Sequence, residues 1–289
     1  MKIKFDQLIK SYLEFCKIEC GYSSCTVAAY NSDLIQFLDS GSSISFVERI
    51  ADYSKWLVTQ QFSVKTVVRK WSTIRSFYRF CINEGFCEEN VLHYFPKINV
   101  SHLLPAVLSQ SQVQALLAIP DQSTINGLRD YLLIECLYST GIRVSECVQI
   151  KLSDFDLEDN TLRITGKGNK QRVIPLTREF KLALDNYVRK KDGKVLWLFG
   201  SYNGRHMTRQ MVFKIIKKYL SLGNFEIKKY SPHSFRHAFA THLIEGGARL
   251  RETQLLLGHE QLASTQVYTT LSSQYIKSIY QLSHPRATL

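Results

Sequence analysis

No stretch of the chain approaches the roughly eighteen consecutive apolar residues of a membrane-spanning helix. The opening segment, Met1-Lys-Ile-Lys-Phe-Asp-Gln-Leu, lacks the apolar core and small-residue cleavage site of a secretory signal, so the expectation is a cytoplasmic protein. A lipidation motif and a short polybasic run are also missing, which argues against a membrane surface as the partner. Cysteine is sparse, and its number, seven, is odd. With no secretory signal, that scatter predicts reduced thiols and not a disulfide framework. Internal repeats and low-complexity segments are lacking as well. Acidic side chains are in short supply, 25 Asp and Glu against 37 Lys and Arg, for a net charge of +12.

The 289 residues are 45% hydrophobic and 21% charged, which excludes disorder, collagen-like repeats and a fibrous coiled coil. The length allows two domains, each with its own core. The basic excess is uneven: residues 1–100 hold 12 basic and 10 acidic side chains, and residues 101–289 hold 25 and 15. Such a surplus points to nucleic acid. Apolar residues recur three or four apart in Phe5–Leu13, Val27–Leu38, Ile50–Val58 and Val64–Ile82, which predicts a four-helix bundle over residues 1–96. The stretch from Pro96 to Pro105 has no period, and residues 97–108 are taken as a linker. Residues 109–289 form the second domain. There Ser109 and Gln112 predict a capping box, Gly127–Tyr138 and Arg143–Leu152 have helical period, and the strands Leu162-Arg-Ile-Thr and Gln171-Arg-Val-Ile flank Lys167-Gly-Asn-Lys170 as a β-hairpin. Helices are expected again near 178–191, 208–221 and Pro232–Ile244, with shorter ones up to Tyr280. The fold class is therefore mainly α with a small antiparallel sheet.

Several segments carry unusual chemistry. On the helix at 64–82, Lys65, Arg69, Ser72, Arg75 and Arg79 share one face, opposite Val67, Trp71, Ile74, Phe77, Tyr78 and Cys81. This is either a solvated face or a helix that meets DNA, and the basic charge favours DNA. In Thr140-Gly-Ile-Arg143-Val-Ser-Glu146, an arginine at a helix start suits a phosphate, and Glu146 lies where it can orient the guanidinium; a plain surface pair is the alternative. In Gly166-Lys167-Gly168 the glycines let a ligand approach, although a turn with an incidental lysine has the same pattern. His233, Arg236 and His237 share a helical face. Two histidines four apart invite zinc, but the glutamate of HExxH is absent and Arg236 is a poor neighbour for a cation. Leu257-Gly258-His259 is followed nine residues later by Tyr268, which spacing alone does not distinguish from the other fourteen tyrosines.

In chain order the set Arg143, Lys167, His233, Arg236, His259 and Tyr268 resembles the tyrosine recombinase (phage-integrase) family, and within it the compact bacterial Xer branch. The likeness runs from the N-terminal bundle, which corresponds to the family's SAM-like core-binding domain, to His284-Pro-Arg-Ala287. Two positions depart from the pattern: Thr270 stands where the family often has histidine, and Gln110 and Gln112 make the second domain's opening less acidic than usual. The resemblance implies a site-specific recombinase in which Tyr268 attacks a backbone phosphorus, forms a 3′-phosphotyrosyl ester and frees a 5′-hydroxyl that religation later consumes. Arg143, Arg236 and His259 would bind the nonbridging oxygens, His233 would take or steer the tyrosine proton, Lys167 would protonate the leaving oxygen, and Glu146 would orient Arg143. Neither metal nor ATP nor another cofactor is implied; the acidic run Asp154–Asp159 reads as a solvated connection.

The resemblance also implies double-stranded DNA with a dif-like site as partner and a four-protomer synapse. A paralogous recombinase and a division-linked translocase would be further partners, and the protein would be nucleoid-associated. The apolar positions Ile276, Ile279, Tyr280 and Leu282 of the tail would dock on a neighbouring protomer; a tail folded back on its own domain is the alternative. Integration or inversion of a mobile element, type IB topoisomerase-like relaxation, and a non-catalytic DNA-binding accessory role are the competing readings.

Overall fold

The structure is a computed structural model that describes residues 5–41, 46–86, 93–96, 106–166, 171–191, 196–200, 204–258 and 273–287. It divides into two compact units, Met1–Leu103 and Leu104–Leu289.

The first unit contains α1 (Phe5–Ile18), α2 (Ser24–Asp39), α3 (Phe46–Thr59) and α4 (Val64–Asn83). Ser23 and Ser63 cap α2 and α4, each accepting a backbone N–H three residues on. One face of each helix is apolar, and together they enclose an aromatic core of Tyr12, Phe37, Tyr53, Trp71, Phe77 and Tyr78. A polar cluster crosses this core: the buried Asp33 accepts hydrogen bonds from Lys70 (2.9 Å), Thr73 (3.1 Å) and Arg69. Lys70, itself only 3% exposed, is thereby paired and not stranded in apolar surroundings.

The second unit is mostly helical around a three-stranded antiparallel sheet in the order β1 (Phe155–Asp156), β2 (Thr161–Thr165), β3 (Gln171–Pro175). Its helices are α5 (Gln110–Leu117), α6 (Ile125–Thr140), α7 (Val144–Cys147), α8 (Arg178–Lys190), α9 (Arg209–Leu222), α10 (Pro232–Glu245), α11 (Leu250–Leu257) and α12 (Ser273–Ser283). Ser109 and Gln112 form the expected capping box. The largely buried α6 is the central helix, packed against α5, α8 and α10. The hairpin register pairs Leu162 with Ile174 and Ile164 with Arg172, while the tip at 167–170 lies outside the described residues.

The expected helix Arg143–Leu152 is not continuous. Only Val144–Cys147 is α-helical, because Ile150 O accepts the Leu198 N–H (2.8 Å) and Lys151 pairs with Trp197 as an extended bridge. The Asp154 carboxylate then accepts the Lys151 N–H (2.8 Å) and starts a 3-10 turn at Leu152–Asp154. The acidic connection also contributes more than expected, since Phe155 and Asp156 join the sheet as β1. Within this single chain α12 packs on α10, α11 and β3. Ile276, Ile279 and Tyr280 enter that small core, whereas Leu282 is exposed.

Candidate active site

The site begins where α6 stops. Gly141 takes a left-handed conformation (φ 59°) that ends the helix, and a Cβ there would lie 2.4 Å from the Phe239 ring. Both conditions require glycine. The chain turns through buried Ile142 into Arg143, the extended residue that opens α7. Glu146 Oε2 accepts the Arg143 backbone N–H at 2.7 Å, and Arg143 Nη1 donates to Oε1 at 3.1 Å. The carboxylate is only 7% exposed, while the Arg143 side chain remains 42% exposed.

A second guanidinium shares that carboxylate. Arg172 of β3 forks onto Glu146, with Nη1 to Oε1 at 2.9 Å and Nη2 to Oε2 at 2.8 Å, and its Nε donates to Leu256 O at 3.1 Å. Burial alone would raise the Glu146 pKa. The hydrogen bonds and charge of Arg172, with those of Arg143, outweigh burial and hold the group below the usual glutamate range.

Arg236 completes the cluster from α10. Its Nη1 donates to Gly141 O and its Nη2 to Leu257 O, both at 2.7 Å, so it ties the end of α6 to the end of α11. Burial, and then the charges of Arg143 and Arg172, push its pKa down to about 10, which still leaves it a cation at neutral pH. Arginine carries five N–H donors. Among the described residues these side-chain bonds engage one donor of Arg143 and two of Arg236, so both retain donors for an anion. Arg172 commits three to protein acceptors.

His233 lies one turn before Arg236, in the first turn of α10, with its ring edge-on to Phe213 at 6.3 Å. Partial burial, and then the neighbouring His237 and Arg236, hold its pKa below the ordinary histidine value, which favours a neutral imidazole. His237 is exposed on the same helix, and no cluster of three or more potential metal-ligating side chains occurs among the described residues. His242, further along α10, is buried against Tyr138, with 2.9 Å between Nδ1 and the tyrosine hydroxyl.

The structure thus brings Arg143, Glu146, His233 and Arg236 into one neighbourhood. Lys167, His259 and Tyr268 lie outside the described residues. Described chain leads up to each side of them: Gly166 ends the β2 side, and Gly258, left-handed at φ 65°, ends α11 immediately before His259. Arg172 was missed by sequence reasoning. Its signal is an arginine at an inward position of an alternating strand, in line with Leu162, Ile164 and Ile174.

In the first unit, Lys65, Arg69 and Arg79 are exposed along α4. Arg75 is half-buried with its guanidinium 5.4 Å from the centroid of Phe95, and Arg69 is tied to Asp33.

Both units have counterparts among known proteins. The model of the phage integrase family matches residues 106–274, and that of the phage integrase N-terminal SAM-like domain matches residues 9–85. Tyrosine recombinase XerD of Staphylococcus haemolyticus strain JCSC1435 is 38% identical over 98% of this chain and 100% of its own length. Two solved structures share the fold. XerH site-specific recombinase, bound to difH substrate in a pre-cleavage complex, aligns with a TM-score of 0.66 and 23% identity over 92% of this chain and 81% of its own. A lambda integrase tetramer bound to a Holliday junction aligns at 0.70 and 17% identity over 91% and 79%. With both of its domains matched and a curated relative aligned end to end, the chain belongs to the phage integrase family, as one of its tyrosine site-specific recombinases.

Proposed function

We propose that the enzyme cuts and rejoins double-stranded DNA through a 3′-phosphotyrosyl ester on Tyr268 and acts at a dif-like site to resolve chromosome or plasmid multimers during cell division. The observation that carries this reading is the pair Arg143 and Arg236, fixed by Glu146 and by two backbone carbonyls yet retaining donors for an anion. A phosphodiester is anionic already, and charge grows on its nonbridging oxygens as the nucleophile adds. Donors held in place before the reaction stabilise that charge without reorganising; losing one costs about 10²–10³ in rate.

Each step has a residue. The Tyr268 oxygen bonds to phosphorus as the P–O5′ bond breaks, so one phosphoester replaces another and no external energy source is needed. A tyrosine hydroxyl has an ordinary pKa of about 10 and must lose its proton during attack. His233, held neutral, is the acceptor. Lys167 supplies the proton for the leaving 5′ oxygen, and His259 donates to a nonbridging oxygen. Religation by a 5′-hydroxyl from the partner strand runs the same chemistry backwards. Two duplexes with two cuts each require four protomers, of this chain alone or with a paralogous recombinase. In that assembly the tail with Ile276, Ile279, Tyr280 and Leu282 docks on a neighbour and couples Tyr268 to synapsis. Lys65, Arg69, Arg75 and Arg79 contact DNA from the first unit, and a division-linked translocase controls the reaction.

The end-to-end match to a XerD protein favours the resolution role over integration or inversion. Trapping covalent protein–DNA complexes in growing cells and sequencing the attached DNA tests it. One chromosomal locus with inverted half-sites is the expected result; capture at the ends of a mobile element would replace the resolution role by integration.

A further inference from the structure

Glu146 is a single buried carboxylate with two arginines competing for it. Arg172, 9% exposed, takes both of its oxygens in a bidentate fork, the geometry that a planar guanidinium and a carboxylate prefer. Arg143 therefore reaches Glu146 through only one side-chain donor, at the longer distance of 3.1 Å, and through its backbone N–H. Its other donors are left for a phosphate. The remaining anchor of Arg172, Nε to Leu256 O, lies one residue from the Leu257 carbonyl held by Arg236. The two guanidiniums thus fasten successive carbonyls at the end of α11, just before Gly258. That glycine sits close enough to Arg172 that a Cβ there would lie 3.1 Å from its Cδ.

We infer that Arg172 is a positioning residue for strand cleavage: by occupying the Glu146 carboxylate it prevents that group from capturing Arg143, and it fixes the end of α11 that leads to His259. This rests on the transesterification reading and adds to it a role for a residue that touches protein and not DNA. If Arg172 is removed, Glu146 keeps its charge, loses its preferred partner and closes on Arg143. The arginine then leaves the phosphate. A displacement of about 1 Å in such a group costs on the order of 10²-fold in rate.

The competition predicts an unusual sign. Arg172→Gln should slow cleavage, and Glu146→Gln added to it should recover part of the loss, because a neutral amide does not capture Arg143. A residue that only supports the fold would show the reverse, with the second change deepening the defect. The assay is single-turnover formation of covalent adduct, at saturating protein, on a nicked duplex selected from a random pool by binding to the wild type. Affinity is measured separately by gel shift. The expected results are a cleavage rate about 10- to 100-fold lower for Arg172→Gln, affinity within about threefold of wild type, and a double variant faster than Arg172→Gln alone. A wild-type rate for Arg172→Gln, or a double variant no faster than the single one, would overturn the inference. Should Arg172→Gln fail to fold, Arg172→Lys, which keeps the charge but has no fork, is judged by the same two criteria. A wild type that forms no adduct counts against the phosphotyrosyl reading itself, whereas an active wild type with an unchanged variant counts only against Arg172.

Discussion

Glu146 and the three arginines around it explain why this site needs a buried acid at all. Arg143, Arg172 and Arg236 would repel one another without it: burial first, and then the charges of Arg143 and Arg172, lower the Arg236 pKa, and Glu146 opposes them. Removing the carboxylate while Arg172 remains would leave that buried positive charge uncompensated, a change that typically costs about 3–5 kcal/mol. His233 works by the opposite logic. Its surroundings disfavour the charged ring, so its protonation midpoint lies below the ordinary histidine value of 6.5. A base is active when deprotonated; cleavage should therefore run at full rate at neutral pH and fall as the pH drops through that lowered midpoint. Rates of covalent adduct formation between pH 5 and 8 check this. His233→Gln should lower the neutral-pH rate by about 10²–10⁴ and remove the acid limb. A wild-type acid limb centred above 6.5, or one that persists in the variant, would exclude His233 as the base.

Helix α12 shows how a short element is held by a few contacts. The Tyr280 hydroxyl donates to Ser139 O at 2.6 Å, Arg286 pairs with buried Glu135 at 3.0 Å, and His284 stacks on Tyr280 with ring centroids 4.9 Å apart. Gly246, at the end of α10, makes room for the turn after α12: a Cβ there would lie 2.1 Å from Ser283 O. Its own backbone is ordinary (φ −77°), so alanine suits the local conformation and clashes only with the docked tail. Gly246→Ala should lower stability by about 1–3 kcal/mol, as overpacking does, and expose the tail to limited proteolysis while the rest of the unit stays resistant. Unchanged resistance of the tail would contradict the packing. That contact also marks the limit of sequence reading. Helices such as α4, α8 and α10 were legible because their apolar faces repeat with helical period, and the hairpin because its strands alternate. The early end of α7 was not legible, since it depends on Leu198 and Trp197, nearly fifty residues away, drawing Ile150 and Lys151 into extended pairing. Arg143, Glu146, His233 and Arg236 could be picked out because their order along the chain matches a family. Arg172 escaped because its meaning lies in a fork across the fold to Glu146.

At the scale of the whole molecule, chemistry and charge coincide. The unit that matches the phage integrase family also carries most of the basic excess, which suits an enzyme that acts on DNA. Among the described residues no helix is long and apolar enough to cross a membrane. In the single chain the tail packs in cis on α10, α11 and β3, with Tyr280 and His284 buried. Everything proposed for the assembly depends on one chemical premise, that Tyr268 becomes covalently joined to DNA. The most direct measurement is covalent trapping on a nicked duplex that carries the selected site, without metal or ATP, resolved on a denaturing gel. Wild type should give a protease-sensitive shifted band attached to a 3′ end, and Tyr268→Phe should bind the same duplex but give none. DNA binding by the wild type with no covalent product, or an adduct that survives in Tyr268→Phe, would contradict the assignment of Tyr268 as nucleophile.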